Sequence, residues 1–241
     1  MIKTNIPDVR RQRTIAVMQP YFFPYFGYYH LASMVDTFVF FDDVNFIKKG
    51  WINRNRIQDK NGVVSINIDL KKASQNKLIN EIYLDDYKRF RDNFLKKIHI
   101  CYGKSYNFNE AYEFLKNLLD NFQGTKISDF NIHINTEIFK YLNISVDILV
   151  SSELNYNRAG AGQEKIISIC QLLEASKYCN LPDGKDLYEI EEFMSRDLNI
   201  EFVELTIDNY QQFKQAEFIP NLSILDYIFF NKKRVGVTDD F

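Results

Sequence analysis

The chain has 241 residues, 30 basic and 32 acidic, for a formal net charge of -2, so no global field recruits nucleic acid or an anionic membrane, and DNA is not an expected partner. Three dispersed cysteines, Cys101, Cys170 and Cys179, and three dispersed histidines, His30, His99 and His133, suggest neither a disulfide framework nor a His/Cys metal centre. No apolar run approaches the roughly 20 residues that span a bilayer, and MIKTNIPDVRRQR has no apolar stretch behind its charges, which points to a cytoplasmic protein folded as one domain over 1–241.

In chain order, 13–18 (RTIAVM) predicts the first central strand, stopped by Gln19 and Pro20. Apolar residues at helical spacing over 26–35 follow, and 37–41 (TFVFF) is β-branched and aromatic throughout, as a buried strand should be. Strand, helix, strand in this order builds a parallel sheet with a right-handed crossover. The alternation in 63–70 predicts a half-exposed strand paired with 79–84. Helices are expected over 85–102, 108–121 and 126–142, then a strand at 148–152, a helix at 163–176, a strand at 177–181, a helix at 189–195 and a strand at 200–206. An apolar segment at 223–230, with Ser223 as a helix cap, precedes a polar tail at 232–241. The sum is a three-layer α/β fold with a helical insertion at about 85–145. Its ligands are expected outside the carboxyl ends of the strands, in the loops after Met18, Phe41, Val150 and Leu181.

The loop at 19–29 leaves the first strand and enters the first helix, where N–H groups and the helix dipole favour an anion. It matches neither the Walker pattern nor the dinucleotide glycine pattern. Gln19, Tyr21, Tyr25 and Gly27 are its expected contacts. Asp42 and Asp43 follow an apolar strand directly, so at least one carboxylate is expected at the ligand edge, as a base or as a holder of a metal or a ribose hydroxyl, with a helix or turn cap as the structural alternative. KKGWINRNRI then mixes Lys48, Lys49, Arg54 and Arg56 with Trp51, Asn53 and Asn55, a small patch suited to a phosphorylated ligand and a stacked ring. Ser151, Ser152 and 158–162 form a second possible ligand loop, Lys185 and Asp186 a third. His30 is a candidate acid or base, although packing among aromatics explains it equally well. Cys179 has no evident histidine to activate it.

The combination VMQPYFFPYFGYYHL, DTFVFFDDVNFIKKGWINRNRI, SSELN, EKIISICQLLEASKYCN and FIPNLSILDYIFFN resembles the WbqC-like family, over about 14–231. The resemblance implies a role in O-antigen or other surface-glycan synthesis; some members are labelled glycine transferases. The expected activity is N-acylation of a nucleotide-linked deoxyamino sugar, with Asp42, Asp43 or His30 as base. The donor would be acyl-CoA, an acyl-carrier thioester, an aminoacyl-tRNA, or an adenylate made from ATP and Mg²⁺. The loop at 178–188 departs from the more glycine-rich family pattern. A looser likeness to HIGH-type nucleotidylyltransferases, resting on Gly27 and His30, implies a Rossmann-like, nucleotidyltransferase-type (HUP) sheet. It also raises the alternative of a nucleotidylyltransferase-like, ATP-dependent activating enzyme; a non-catalytic sugar-nucleotide binder is a separate third reading.

Overall fold

The computed structural model describes residues 13–204, 210–213 and 217–232. The elements run β1 (Thr14–Met18), α1 (Phe26–Ser33), β2 (Thr37–Phe40), β3 (Arg54–Asp59), β4 (Gly62–Asn67), β5 (Leu70–Lys71), β6 (Tyr83–Leu84), α2 (Tyr87–Tyr102), α3 (Phe108–Asp120), α4 (Ile127–Tyr141), β7 (Asp147–Val150), α5 (Gly162–Leu172), β8 (Lys177–Asn180), α6 (Ile190–Met194), β9 (Asn199–Phe202) and α7 (Ile224–Phe230). Among the described residues no helix is long and apolar enough to cross a membrane.

Five strands form one parallel sheet in the order β7-β2-β1-β8-β9. From β1 the chain steps outward to β2 and β7, then returns to the other side of β1 for β8 and β9. The topological switch therefore falls between β1 and β8, the place where such sheets leave a crevice for a ligand.

Alternation along the strands divides the core in two. Ala16, Phe38, Phe40 and Cys179 pack with Tyr28 and Leu31 of α1 and Phe139 of α4. Ile15, Val17, Val39 and Tyr178 pack with Ile166, Ile169 and Cys170 of α5 and with Phe193 of α6. Because successive side chains point to opposite faces, the central strands bury both; β1 and β2 accordingly read as near-continuous apolar runs, while β8, KYCN, buries Tyr178 on one face and Cys179 on the other. This is the expected three-layer Rossmann-like arrangement.

Differences from the sequence reading lie beside the sheet. The strand expected at 63–70 is β4, and its antiparallel partner is β3, with Arg54 opposite Asn67 and Asp59 opposite Gly62. The segment 79–84 contributes only β6, which pairs with β5 through two residues. α2 starts at Tyr87 because the Asp86 side chain accepts from the Arg89 N–H at 2.9 Å and caps it. The strand expected at 200–206 spans Asn199–Phe202; residues 205 and 206 lie outside the described residues, as does the tail beyond Lys232. Ser223 caps α7 as expected.

Candidate functional site

A cavity of about 600 Å³ opens at the switch point, within the usual range for small-molecule sites. From the exit of β1 come Met18, Gln19, Tyr21 and Tyr25, and from the exit of β8 come Asn180, Asp183, Gly184 and Tyr188. Trp51, Asn55 and Arg56 add a third wall, Ala161, Gly162 and Gln163 at the N-terminus of α5 a fourth, and Asn221 closes it from the far end of the chain. Phe41, after β2, forms part of the floor.

The loop after β1 is held with unusual completeness. The carbonyl of Gln19 accepts from the Tyr28 hydroxyl at 2.9 Å, that of Pro20 from Asn131 Nδ2 at 2.8 Å, and that of Tyr21 from Asn135 Nδ2 at 2.8 Å. Asn55 Nδ2 donates to the carbonyls of Phe22 and Phe23 at 3.0 and 2.7 Å. The Ser223 hydroxyl donates to Phe23 at 2.8 Å, and the Ile224 N–H to Pro24 at 2.8 Å. Six successive carbonyls are thus bound, chiefly by buried Asn55, Asn131, Asn135 and Ser223. The clamp sustains a φ of 44° at Phe23, a left-handed conformation that a bulky side chain adopts only when its surroundings impose it. Such investment of buried polar groups fixes one loop geometry and pre-organises Tyr21 and Tyr25 on the cavity wall.

The polar character of the cavity is uneven. Arg56 lies 5.6 Å from the Trp51 ring centroid, and Arg54 5.9 Å, so the two guanidinium groups flank the chain's single tryptophan. Arg54 is spent locally, donating to the carbonyls of Gly50 and Lys49. Among the described residues Arg56 is the cation on the cavity lining and Asp183 the carboxylate. Burial, then the charge of Asp183, then Tyr21 push the Tyr25 hydroxyl up to about 12. Tyr21 is also raised, by burial and by Tyr188. Tyr188 accepts from Asn180 Nδ2 at 2.9 Å, and its hydroxyl is 3.2 Å from that of Tyr178. The first N–H groups of α5 have no intrahelical partners by helix geometry, and they lie beside the cavity with the positive end of the helix dipole.

The structure separates the residues singled out from sequence. Gln19, Tyr21, Tyr25, Trp51, Asn55 and Arg56 come together on the cavity lining. Asn55 does so as a clamp for the loop, with its side chain committed to backbone. Lys48 is exposed off the lining, and Asn53 donates to the Ile68 carbonyl at 3.1 Å. Gly27 and His30 belong to α1, away from the lining; burial lowers His30, whose ring stacks on Phe26. The side chain of Cys179 is buried on the α1 side of the sheet, with its thiol pushed up to about 11 by burial.

Asp42 and Asp43 are also off the lining, and their lone pairs are engaged. Asp42 accepts from the Ser151 hydroxyl at 3.1 Å, from the Ser152 N–H and hydroxyl at 3.0 and 2.8 Å, and from Asn80 Nδ2 at 3.2 Å. Asp43 accepts from Ser151, from the Tyr156 hydroxyl at 2.9 Å and from Arg158 Nε at 2.8 Å. Arg158 also donates to the carbonyls of Ser151, Ser152 and Leu154. The pair braces the loop from β7 to α5, and thereby the α5 terminus. The loop at 180–188, where the sequence points to Lys185 and Asp186, contributes Asn180, Asp183 and Tyr188 instead, and the polar Asn221 comes from the segment 218–231. Lys185 and Asp186 in that loop are off the lining.

The fold and the switch-point cavity define a Rossmann-like α/β protein with an open crevice at the point where the strand order reverses. The chain belongs to the WbqC-like protein family, whose model matches residues 19–236. It is similar to the uncharacterized protein Rv1507c of Mycobacterium tuberculosis, 27% identical over 220 residues, covering 90% of this chain and 93% of that protein. No solved structure gives a significant match.

Proposed function

We propose that the protein is an N-acyltransferase that binds a nucleotide-linked deoxyamino sugar at the switch point and joins an acyl group to its amine, for bacterial O-antigen or surface-glycan synthesis. The observation that carries this reading is the composition of the roughly 600 Å³ cavity: aromatic walls from Tyr21, Tyr25, Trp51 and Tyr188, one arginine and one helix N-terminus. Rings of this kind stack a base or pyranose, while Arg56 and the α5 amides suit a diphosphate or a developing oxyanion. The donor is an activated acyl group: acyl-CoA, a carrier-bound thioester, an aminoacyl-tRNA or an acyl adenylate from ATP and Mg²⁺. Family membership supports the pathway, and the cavity supports a sugar nucleotide in it.

Incubation of the protein with UDP-, dTDP- and GDP-linked 4-amino-4,6-dideoxyhexoses and each donor class, followed by mass spectrometry, tests the reading. A product heavier by the acyl group is expected with one pairing. No mass gain with any pairing would sink it.

A further inference from the structure

The cavity has an electrostatic polarity that the clamp, the brace and the aromatic walls do not explain. At one wall stands Arg56, whose guanidinium, among the described residues, has the Trp51 ring as its neighbour and no hydrogen-bonded or ion-paired partner. At the exit of β8 stands Asp183, an exposed carboxylate in the first turn of a 3₁₀ segment, Pro182–Leu187. Among the described residues no hydrogen bond or ion pair occupies it. A solvated acid at a helix start would be unremarkable anywhere else. Here it lines the same cavity as Tyr25 and Gly184, and the neighbouring Tyr25 hydroxyl feels its charge.

The rest of the molecule sharpens the contrast. Asp42 and Asp43 are buried, lie off the lining and are committed to the brace that holds the loop to α5. His30 faces Phe26 away from the lining. A ligand with an anion at one end and a cation at the other meets matched partners in Arg56 and Asp183.

We infer that Asp183 is the residue that recognises the charged amine of the substrate and accepts its proton. This rests on the N-acyltransferase reading. The substrate amine arrives as an ammonium ion, held by the Asp183 carboxylate through a charge-assisted hydrogen bond. One N–H bond breaks, the proton passes to Asp183, and the freed lone pair attacks the acyl carbon of the donor. The C–N bond forms, the bond from that carbon to the donor's thiolate, alkoxide or phosphate oxygen breaks, and the second amine proton leaves with the departing group. Asp183 then releases its proton to solvent. Asp183 therefore selects amine over hydroxyl at the reacting carbon.

Asp183→Asn tests this with the fold intact, because the side chain is exposed and, among the described residues, unpartnered. Calorimetric titration of wild type and variant would use a dTDP-linked 4-amino-4,6-dideoxyhexose and its 4-hydroxyl counterpart, repeated with the UDP and GDP forms. Wild type is expected to prefer the amine by about tenfold or more, the usual worth of a hydrogen bond to a charged group. The variant is expected to lose that preference while binding the hydroxyl compound within about twofold of wild type. Its amide-forming rate should fall roughly a hundredfold or more, as for loss of a general base. A variant that keeps both the preference and the rate while wild type forms amide overturns the assignment and leaves the acyltransferase reading standing. A wild type that shows the amine preference but forms no amide with any of the donors sinks acyl transfer and the proton step while supporting recognition. A wild type that binds none of the sugar nucleotides overturns both.

Discussion

Asp226 is completely buried, and among the described residues no cation pairs with it. Its Oδ1 accepts from Gln58 Nε2 and the Tyr102 hydroxyl, both at 2.8 Å, and its Oδ2 from the Tyr210 hydroxyl at 2.7 Å and Gln212 Nε2 at 2.9 Å. Burial raises its pKa above the ordinary 3.8, and the four hydrogen bonds only partly oppose that. Between 3.8 and the raised value the folded state holds a proton that the unfolded chain has lost. The site's contribution to stability is therefore full below 3.8 and falls as pH rises through the folded value. Comparing wild type with Asp226→Asn by urea denaturation from pH 7 downward should show the difference moving in favour of wild type on acidification; a constant difference would contradict it. Asp226→Ala, by contrast, removes the shared acceptor of four donors, of which Gln212 Nε2 keeps the Ile219 carbonyl at 3.0 Å, and should cost about 3 kcal/mol or more at pH 7, read as a lower urea midpoint.

At the scale of elements, the loop after β1 and the brace after β7 present the two sides of the cavity, and each makes a separate prediction. Asn55→Ala removes the donor to two buried carbonyls and should lower stability by about 2–3 kcal/mol in chemical denaturation. Asp43→Ala leaves Tyr156 and the half-exposed Arg158 without their shared acceptor. Hydrogen exchange over 151–165 should quicken while β1 and β8 stay protected, since local opening follows local contacts; unchanged exchange there would exclude the brace. These roles also explain what the sequence conceals. β1, α1 and β2 are legible because strands buried on both faces must be apolar runs. β3, RNRIQD, carries only Ile57 as an apolar residue. Its buried Asn55 and Gln58 are there to bind backbone and Asp226, so hydrophobic alternation has nothing to detect. Likewise Asp42 and Asp43 look like active-site carboxylates by position. Only the fold reveals Ser151, Ser152, Tyr156 and Arg158, more than a hundred residues away, as their partners. Glycine carries a related ambiguity: a Cβ at Gly184 would meet Asn180 Nδ2 at 2.8 Å, whereas one at Gly162 meets nothing within 4 Å.

On the scale of the whole molecule, the site is closed by residues from opposite ends of the chain. α7 is short, yet it joins three separate parts of the structure. The Ser223 N–H donates to the Arg56 carbonyl of β3 at 2.8 Å, Ser223 and Ile224 bind the carbonyls of Phe23 and Pro24, and Asn107 at the start of α3 donates to the carbonyls of Ile228 and Phe229. Ile224, Leu225, Ile228 and Phe229 are at most 1% exposed and belong to the larger core. Burying four such side chains contributes about 6–12 kcal/mol at the usual worth of each, which is comparable to the whole stability of an ordinary domain. A chain ending at residue 220 therefore loses more than a cap on the cavity. It is expected to lack a cooperative thermal transition by circular dichroism and to bind a hydrophobic dye, because the loop at 19–24 loses two of its carbonyl partners as the core loses its last helix. A truncated chain that melts cooperatively near the full-length midpoint would show instead that β1–β9 and α1–α6 stabilise one another without α7.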